Sequence, residues 1–305
     1  MIKYLNMHSV LKLNQNFMNY VFVAIDYSPK YLKYALNSIQ SIDQESKVFV
    51  FSNQKIEFKN VEIININEIK SEYIDRFNSL NIYKNSIFEN NPLWKTSSLR
   101  VLYLNEVKNL ININSFVHVD NDVIIYKSFD EIKSVFDEGK LNITSSNLKS
   151  IIYGYSYYGK NLNQNLISSQ FINEVEFGIA DNWMFNNGKP LNEMQILSRI
   201  SKNKPEIFNH LNILPYDGSN ILFDPSSYGQ YLDGTHNKPK KIFRKGHFSL
   251  NDYIGTEIIS GRIKVKFKNN MPFVIWNKQK FFLANLHIHS KRLHKFLPKN
   301  YKDFS

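Results

Sequence analysis

Two carboxylates beside an apolar segment are the residues of this chain best suited to chemistry. Asp120 and Asp122 lie within residues 116–126, FVHVDNDVIIY, between two apolar runs. On an extended backbone, residues two apart point to the same side, so the two side chains are expected to lie close together. Because neighbouring carboxylates repel each other, a hard divalent cation is their natural partner.

A second group of candidate ligands lies near the end of the chain. His287 and His289 follow an apolar run in residues 281–290, FFLANLHIHS, and Lys291 comes next. If they occupy one strand, alternation places both imidazoles on the same face. They could be core histidines, but the H-x-H-S-K pattern after an apolar strand favours ligands, and imidazole beside two carboxylates suits Mn2+.

The D-x-D segment resembles the motif of metal-dependent glycosyltransferases of the GT-A fold. In that family the motif holds the diphosphate of a nucleotide sugar through Mn2+ or Mg2+. The resemblance implies that Asp122 binds the metal most directly, and that Asp120 shares the metal or contacts the ribose. It also implies that a late histidine, His287 or His289, completes the metal site and that Lys291 contacts the diphosphate.

Apolar segments earlier in the chain predict the sheet that must carry these residues. Residues 20–25, YVFVAI, are typical of a strand covered on both faces, and Ser28-Pro29 predicts a helix start. Residues 47–52 and 61–66 are the next predicted strands. This order predicts an α/β fold with a mostly parallel sheet flanked by helices. The resemblance implies a Rossmann-like GT-A sheet with a smaller, β-rich C-terminal acceptor part.

Three more residues are predicted to contact the nucleotide. Asp26 and Tyr27 follow the first predicted strand, where the resemblance places the nucleotide base. Arg100 lies on a helix that opens at Asn91-Pro92, just before the D-x-D strand, and the resemblance implies a cation for the nucleotide on such a helix. An ion pair with a surface acid is the alternative role for Arg100.

Asp181 is the predicted general base if the reaction inverts. The resemblance implies a base at this offset from the D-x-D motif, at the start of a helix, and Trp183 could offer a sugar-stacking face beside it. An N-cap is the alternative role for Asp181. Asp224 and Asp233 are the alternative bases, in a segment (220–235) that resembles one in bacterial polysaccharide-type glycosyltransferases.

Composition restricts the partners and the compartment. The chain has 305 residues, a formal net charge of +11 and no cysteine, which excludes disulfides and thiolate metal sites. Neither a signal peptide nor an apolar run of the ~18 residues that a membrane span needs is found, so a cytoplasmic location is predicted. The positive charge favours anionic partners and allows peripheral contact with an anionic membrane. No nucleic-acid-binding module is recognised, and no nucleic-acid partner is predicted.

We predict one catalytic domain. An N-terminal extension covers residues 1–18, the glycosyltransferase domain covers 19–292, and a basic tail covers 293–305. Within the domain, the predicted nucleotide-binding half is about 19–145 and the acceptor half about 146–292.

The predicted function is transfer of a sugar, as in a hexosyltransferase of the polysaccharide or capsule type. The donor is a nucleotide sugar, with a UDP-sugar favoured, and the acceptor is a glycan or a lipid-linked saccharide. Two alternatives come from other classes. A haloacid-dehalogenase-type phosphatase also uses an apolar strand ending in D-x-D, and would form a phospho-aspartate at Asp120. A non-catalytic basic module would bind anionic polymer or membrane without need of Asp122.

Overall fold

A computed structural model describes residues 17–181, 184–186, 189–216, 219–233 and 251–304. Nearly all of the predicted N-terminal extension lies outside the described residues, and so does Trp183. None of the described helices is both long enough and apolar enough to cross a membrane.

The secondary structure alternates between strands and helices along the first half of the chain. Its elements are β1 (Asn19–Ala24), α1 (Leu32–Ile42), β2 (Lys47–Ser52), β3 (Val61–Asn65), α2 (Glu72–Leu80), α3 (Pro92–Ile111), β4 (Phe116–Val119), β5 (Val123–Ile125), α4 (Phe129–Ile132), β6 (Leu141–Asn147) and β7 (Ser150–Tyr158).

The second half contains two long helices and then mainly short strands. Its elements are α5 (Gln164–Ala180), β8 (Phe185–Asn186), β9 (Lys189–Pro190), α6 (Glu193–Asn203), β10 (Phe208–His210), β11 (Ile221–Leu222), α7 (Gln230–Asp233), α8 (Gly255–Ile259), β12 (Lys266–Lys268), β13 (Met271–Trp276), β14 (Gln279–Leu283) and β15 (Asn285–His287).

Seven strands form one sheet, in the order β10-β6-β7-β4-β1-β2-β3. β7 runs antiparallel to β4 and β6, and the remaining neighbours pair in parallel. The predicted α/β class with a mostly parallel sheet is therefore confirmed. The strands β11, β14, β13 and β12 form a separate four-stranded sheet, which confirms the C-terminal β-rich part.

The large sheet is buried on both faces. In β1, Tyr20 and Phe22 belong to a core cluster shared with α1 and the C-terminal sheet. Val21 and Val23 belong to the opposite cluster, shared with α2, α3, α5 and α6. Burial on both faces explains why the early strands are continuous apolar runs.

The predicted helix start at Ser28-Pro29 is wrong. α1 begins at Leu32, and its N-cap residue, Tyr31, makes no side-chain cap hydrogen bond. Pro29 closes a turn instead, since its carbonyl oxygen accepts a hydrogen bond of 2.9 Å from the Leu32 backbone N–H. The helix start predicted at Asn91-Pro92 is confirmed, because the Asn91 side chain caps α3 and Pro92 is its first residue.

The D-x-D segment forms two strands with a turn between them. β4 belongs to the large sheet, and the Val123 N–H donates to the Asp120 carbonyl oxygen at 3.1 Å across the turn. β5 then pairs antiparallel with β15, so that Val123 lies opposite His287. This pairing carries the end of the chain to the D-x-D turn.

The described part of the predicted basic tail packs against α1. Asn37 Nδ2 donates to Tyr301 Oη at 3.2 Å and to Asp303 Oδ1 at 3.0 Å. The Lys302 N–H donates to Ser41 Oγ at 2.8 Å, and Leu293 is fully buried. The C-terminal residues therefore belong to the core that covers one face of the sheet.

Candidate metal-binding site

Three residues that are distant in sequence form a group of candidate metal ligands. One ligand atom each from Asp120, Asp122 and His287 lies within 4.8 Å of the others. His287 Nε2 is 3.0 Å from Asp122 Oδ1, and the two residues are 9% and 5% exposed. The pairing of β5 with β15 therefore adds an imidazole to the two carboxylates.

A glycine in the neighbouring strand leaves room for that imidazole. Gly154, in β7, accepts a hydrogen bond of 2.9 Å from the Asp120 N–H. A Cβ at this position would lie 2.6 Å from His287 Nδ1. Gly154 was missed in the sequence, although a glycine inside a strand often marks a close approach of this kind.

The structure separates the two C-terminal histidines. β15 ends at His287, so the predicted alternation on one strand face does not extend to His289. The His289 ring lies 5.0 Å from the His287 ring between centroids, and its Nε2 is hydrogen-bonded to the Ser226 hydroxyl. Among the described residues, His289 is not part of the ligand group.

Asp122 lies between a lysine and a histidine. The ammonium of Lys291 forms an ion pair with Asp122 Oδ2, and His287 faces Oδ1. Burial alone would raise the pKa of Asp122, but His287 and Lys291 outweigh it and hold that pKa well below its ordinary value. Burial lowers the pKa of His287, but Asp122 overcomes this and raises it.

Asp120 is held by a different set of neighbours. The guanidinium of Arg100, on α3, forms an ion pair with Asp120 Oδ1, and His118 Nε2 lies 3.5 Å from the same oxygen. Burial opposes ionisation of Asp120, yet mainly because of Arg100 its pKa is lowered to about 2. Arg100 Nη2 also lies 3.4 Å from Glu193 Oε1.

Arg100 therefore does not pair with a surface acid. Its side chain, like those of Asp120 and Glu193, is largely buried. Glu193 and His118 were missed in the sequence. His118 had a visible signal, because it interrupts the apolar residues of β4, whereas Glu193 had none.

The residues that follow β1 are exposed, and Tyr31 lies near Lys291. Asp26 is exposed and hydrogen-bonded with Asn53 in both directions, at 2.8 and 2.6 Å, and Tyr27 is 63% exposed. Lys291 Nζ lies 5.6 Å from the ring centroid of Tyr31. Burial, and after it the charge of Asp122, raises the pKa of Tyr31.

The predicted helix start at Asp181 is wrong, because this residue follows the C-terminal end of α5. It is exposed, and none of the described residues forms an ion pair or a side-chain hydrogen bond with it. Asp233 lies at the end of α7 and pairs with Arg292 Nη1 at 3.3 Å and Lys295 Nζ at 3.2 Å.

Asp224 occupies the environment of a structural carboxylate. It is fully buried, and its oxygens accept four backbone hydrogen bonds, from residues 227, 228, 229 and 287. Burial raises its pKa, and the hydrogen bonds act in the opposite direction. Both oxygens of Asp224 accept hydrogen bonds and the side chain has no exposed surface. This environment argues against Asp224 as the alternative base.

The donor set fits a divalent cation. Two carboxylates and an imidazole are the ligand types that suit Mn2+, and the carboxylates alone suit Mg2+. His287 directs its Nε2 to the carboxylates, at 3.0 Å from Asp122 Oδ1. The group formed by Asp120, Asp122 and His287 could therefore bind a metal ion.

No known protein family matches the sequence, and no curated protein is similar to it. Several solved structures of glycosyltransferases are similar in fold at low identity. GlyE of Streptococcus pneumoniae is 11% identical over 64% of this chain, with a TM-score of 0.42, and this chain spans 45% of that protein.

Two more structures are similar to the same degree. Mouse xyloside xylosyltransferase 1 is 12% identical over 64% of this chain and 85% of its own, with a TM-score of 0.43. The galactosyltransferase LgtC, with donor and acceptor sugar analogues, is 15% identical over 64% of this chain and 73% of its own, with a TM-score of 0.39.

Proposed function

We propose that this chain is a metal-dependent glycosyltransferase of the GT-A fold, which transfers a sugar from a nucleotide-sugar donor to a glycan or lipid-linked saccharide. The observation that carries the proposal is the group of Asp120, Asp122 and His287, assembled where β4 leaves a mostly parallel sheet. Open α/β sheets bind ligands beyond the carboxyl ends of their strands, and the group lies at such an end.

Asp120, Asp122 and His287 would hold Mn2+ or Mg2+. A bound metal would act as a Lewis acid that neutralises the diphosphate leaving group. Lys291, which already faces Asp122, adds fixed positive charge at the same place, and Arg100 adds it beside Asp120. Tyr27 and Asp26, exposed at the end of β1, are proposed to contact the nucleotide, with UDP favoured.

Asp181 remains the proposed base for an inverting transfer. An acceptor hydroxyl needs a carboxylate that it can reach. Asp181 is exposed, whereas Asp224 is buried and Asp233 is paired with two cations. The domain is proposed to cover residues 19–292, and the basic residues near its end are proposed to allow peripheral contact with an anionic membrane from the cytoplasmic side.

The function is tested by nucleotide binding with and without Mn2+. UDP, or GDP if the nucleotide prediction is wrong, is expected to raise the unfolding temperature of the wild type when Mn2+ is present. A ligand at a hundred times its dissociation constant stabilises the fold by about 2.7 kcal/mol. Asp122→Asn should lose the Mn2+-dependent part of this binding, because it removes a carboxylate from the ligand group.

Asp130→Asn is the matched control, because Asp130 is an exposed carboxylate that pairs with Lys133 on the surface. It should bind as the wild type does. Unchanged Mn2+-dependent binding by Asp122→Asn, measured by calorimetry, would remove the metal assignment. Hydrolysis of simple phosphate esters through a phospho-aspartate at Asp120 would instead support the phosphatase. Salt-sensitive binding of anionic polymer that does not depend on Asp122 would support the basic module.

A further inference from the structure

Asp224 connects a turn to the strand that carries His287. Its Oδ1 accepts hydrogen bonds from the N–H groups of Ser227 at 2.8 Å and Tyr228 at 2.9 Å. Its Oδ2 accepts from the N–H groups of Gly229 and His287, both at 2.8 Å. One buried carboxylate therefore binds the turn with both oxygens and also binds the His287 backbone with one of them.

Two neighbours complete this connection. The Asp224 N–H donates to Asn285 Oδ1 at 3.1 Å, two residues before His287 in β15. Gly229 packs so closely that a Cβ there would lie 2.1 Å from the His287 carbonyl oxygen. The backbone of His287 is thus held by the Asp224 carboxylate at its N–H and lies against Gly229 at its carbonyl.

The pairing of β15 with β5 also places His287, opposite Val123, but its side chain makes few hydrogen bonds. Its Nε2 faces Asp122, and its Nδ1 has no hydrogen-bond partner among the described residues. Metal-ligating side chains are normally oriented by hydrogen bonds from a surrounding shell, and loss of such a partner typically costs 10–100-fold in metal affinity. Here the second nitrogen makes no such bond, so the place of the ring depends on the backbone that carries it as well as on its contacts with Asp122 and Gly154.

We infer that Asp224 is a positioning residue, which fixes His287 as a metal ligand through the backbone of β15. This inference rests on the proposed metal site. Asp224 contacts neither substrate nor metal in this role, and it acts through the place it gives to His287. A carboxylate is required because each of its two oxygens accepts hydrogen bonds from two N–H groups.

Asp224→Asn is the direct test. An amide has one acceptor oxygen, so in either orientation its NH2 group faces two backbone N–H groups. The probe is Mn2+ alone, titrated by calorimetry into the folded full-length chain. The Asp224→Asn protein is expected to bind Mn2+ at least about tenfold more weakly than the wild type.

A double-mutant cycle separates positioning from general destabilisation. If Asp224 acts through His287, Asp224→Asn should weaken Mn2+ binding no further in a His287→Ala background. Asn142→Ala is the matched control, since Asn142 is another buried side chain that ties backbone groups together, at Asp137, Lys140 and Tyr157. It should lower the unfolding temperature and leave Mn2+ affinity unchanged.

The outcomes distinguish this inference from the proposed function. Two results would overturn the positioning role alone. One is wild-type Mn2+ affinity in Asp224→Asn. The other is a double variant in which the losses of Mn2+ affinity from the two substitutions multiply. Absence of Mn2+ binding by the wild type would overturn the metal site itself, and equal Mn2+ binding by the wild type and His287→Ala would remove His287 from that site. If Asp224→Asn does not fold, Asn285→Ala, which loses the hydrogen bond to the Asp224 N–H, is judged by the same cycle.

Discussion

Asp120 and Asp122 each face a different cationic side chain. Arg100 reaches Asp120 from α3, and Lys291 reaches Asp122 from the residues after β15. Removing one member of a buried ion pair leaves an uncompensated charge, which costs more than the pair contributes. Each aspartate is therefore tied to another part of the chain, Asp120 to a helix before it and Asp122 to the C-terminal segment.

The two histidines are expected to differ when each is replaced. His287→Ala removes an imidazole from the ligand group, so Mn2+ affinity and sugar transfer should fall by at least about tenfold. His289→Ala removes a hydrogen bond to Ser226 and takes nothing from the ligand group, so Mn2+ affinity should stay close to that of the wild type. Calorimetric Mn2+ titration and a transfer assay on both variants check this. Full transfer by His287→Ala would place the third ligand elsewhere.

Asp181→Asn is expected to slow transfer without loss of donor binding. Removing a general base typically costs ~10²–10⁴ in turnover, and the uncharged amide cannot accept the proton of the acceptor hydroxyl. The measurement is kcat for transfer alongside the donor dissociation constant. Asp233→Asn is the comparison, because Asp233 is held by two cations. If neither substitution slows transfer, a retaining mechanism, which needs no such base, is the better assignment.

A glycine in β7 leaves room for a side chain of β15, a strand of another sheet, at the candidate site. β7 contributes Gly154, whose carbonyl oxygen accepts from the Asp120 N–H, and β15 contributes His287 on its other side. A larger residue in β7 would fill the volume that the imidazole occupies. The position of His287 in β15 therefore depends on the small residue in β7.

Gly154→Ala is expected to weaken Mn2+ binding while the chain still folds. The new Cβ would lie 2.6 Å from His287 Nδ1, and the ring must shift because a side chain yields more readily than the backbone. Gly139→Ala is the matched control, since the nearest atom to its Cβ is Asp137 Oδ1 at 3.4 Å. The measurements are Mn2+ affinity and the unfolding temperature. Equal Mn2+ affinity in the two variants would contradict this packing argument.

The C-terminal segment packs against early elements of the chain. β15 pairs with β5, and residues 293–304 pack along α1, so both ends of the described chain meet in one core cluster. The segment carries His287 and Lys291 as well as the buried residues Leu286, Ile288 and Leu293. The same segment therefore contributes both to the stability of the fold and to the candidate site.

Truncation after Ala284 is expected to abolish turnover and lower the unfolding temperature. It removes a candidate ligand, and each large buried aliphatic side chain lost costs about 2–5 kcal/mol. Truncation after Leu297 is the control, because it keeps His287, Lys291 and Leu293 and removes the contacts of Tyr301 and Asp303 with Asn37. It should keep turnover. Turnover by the shorter chain would show that the segment does not take part in the site.

Local sequence patterns were sufficient for the early parallel strands and for the carboxylate pair. The strands covered on both faces are continuous apolar runs, and the cap of α3 is a local Asn-Pro pattern. Asp120 and Asp122 were expected to be neighbours on an extended backbone. They are neighbours across a turn, because two residues this close in sequence stay close in either conformation.

Tertiary structure alone decided which distant residues join that pair. Glu193 reaches Arg100 across 93 positions, and Asp224 reaches the backbone of His287 across 63. No local periodicity encodes such pairings, since they depend on how α6 and β15 pack against the sheet. The sequence by itself therefore determined an α/β chain with a candidate D-x-D cation site. The choice of His287 over His289 and the burial of Asp224 follow from long-range packing, which a single segment does not contain.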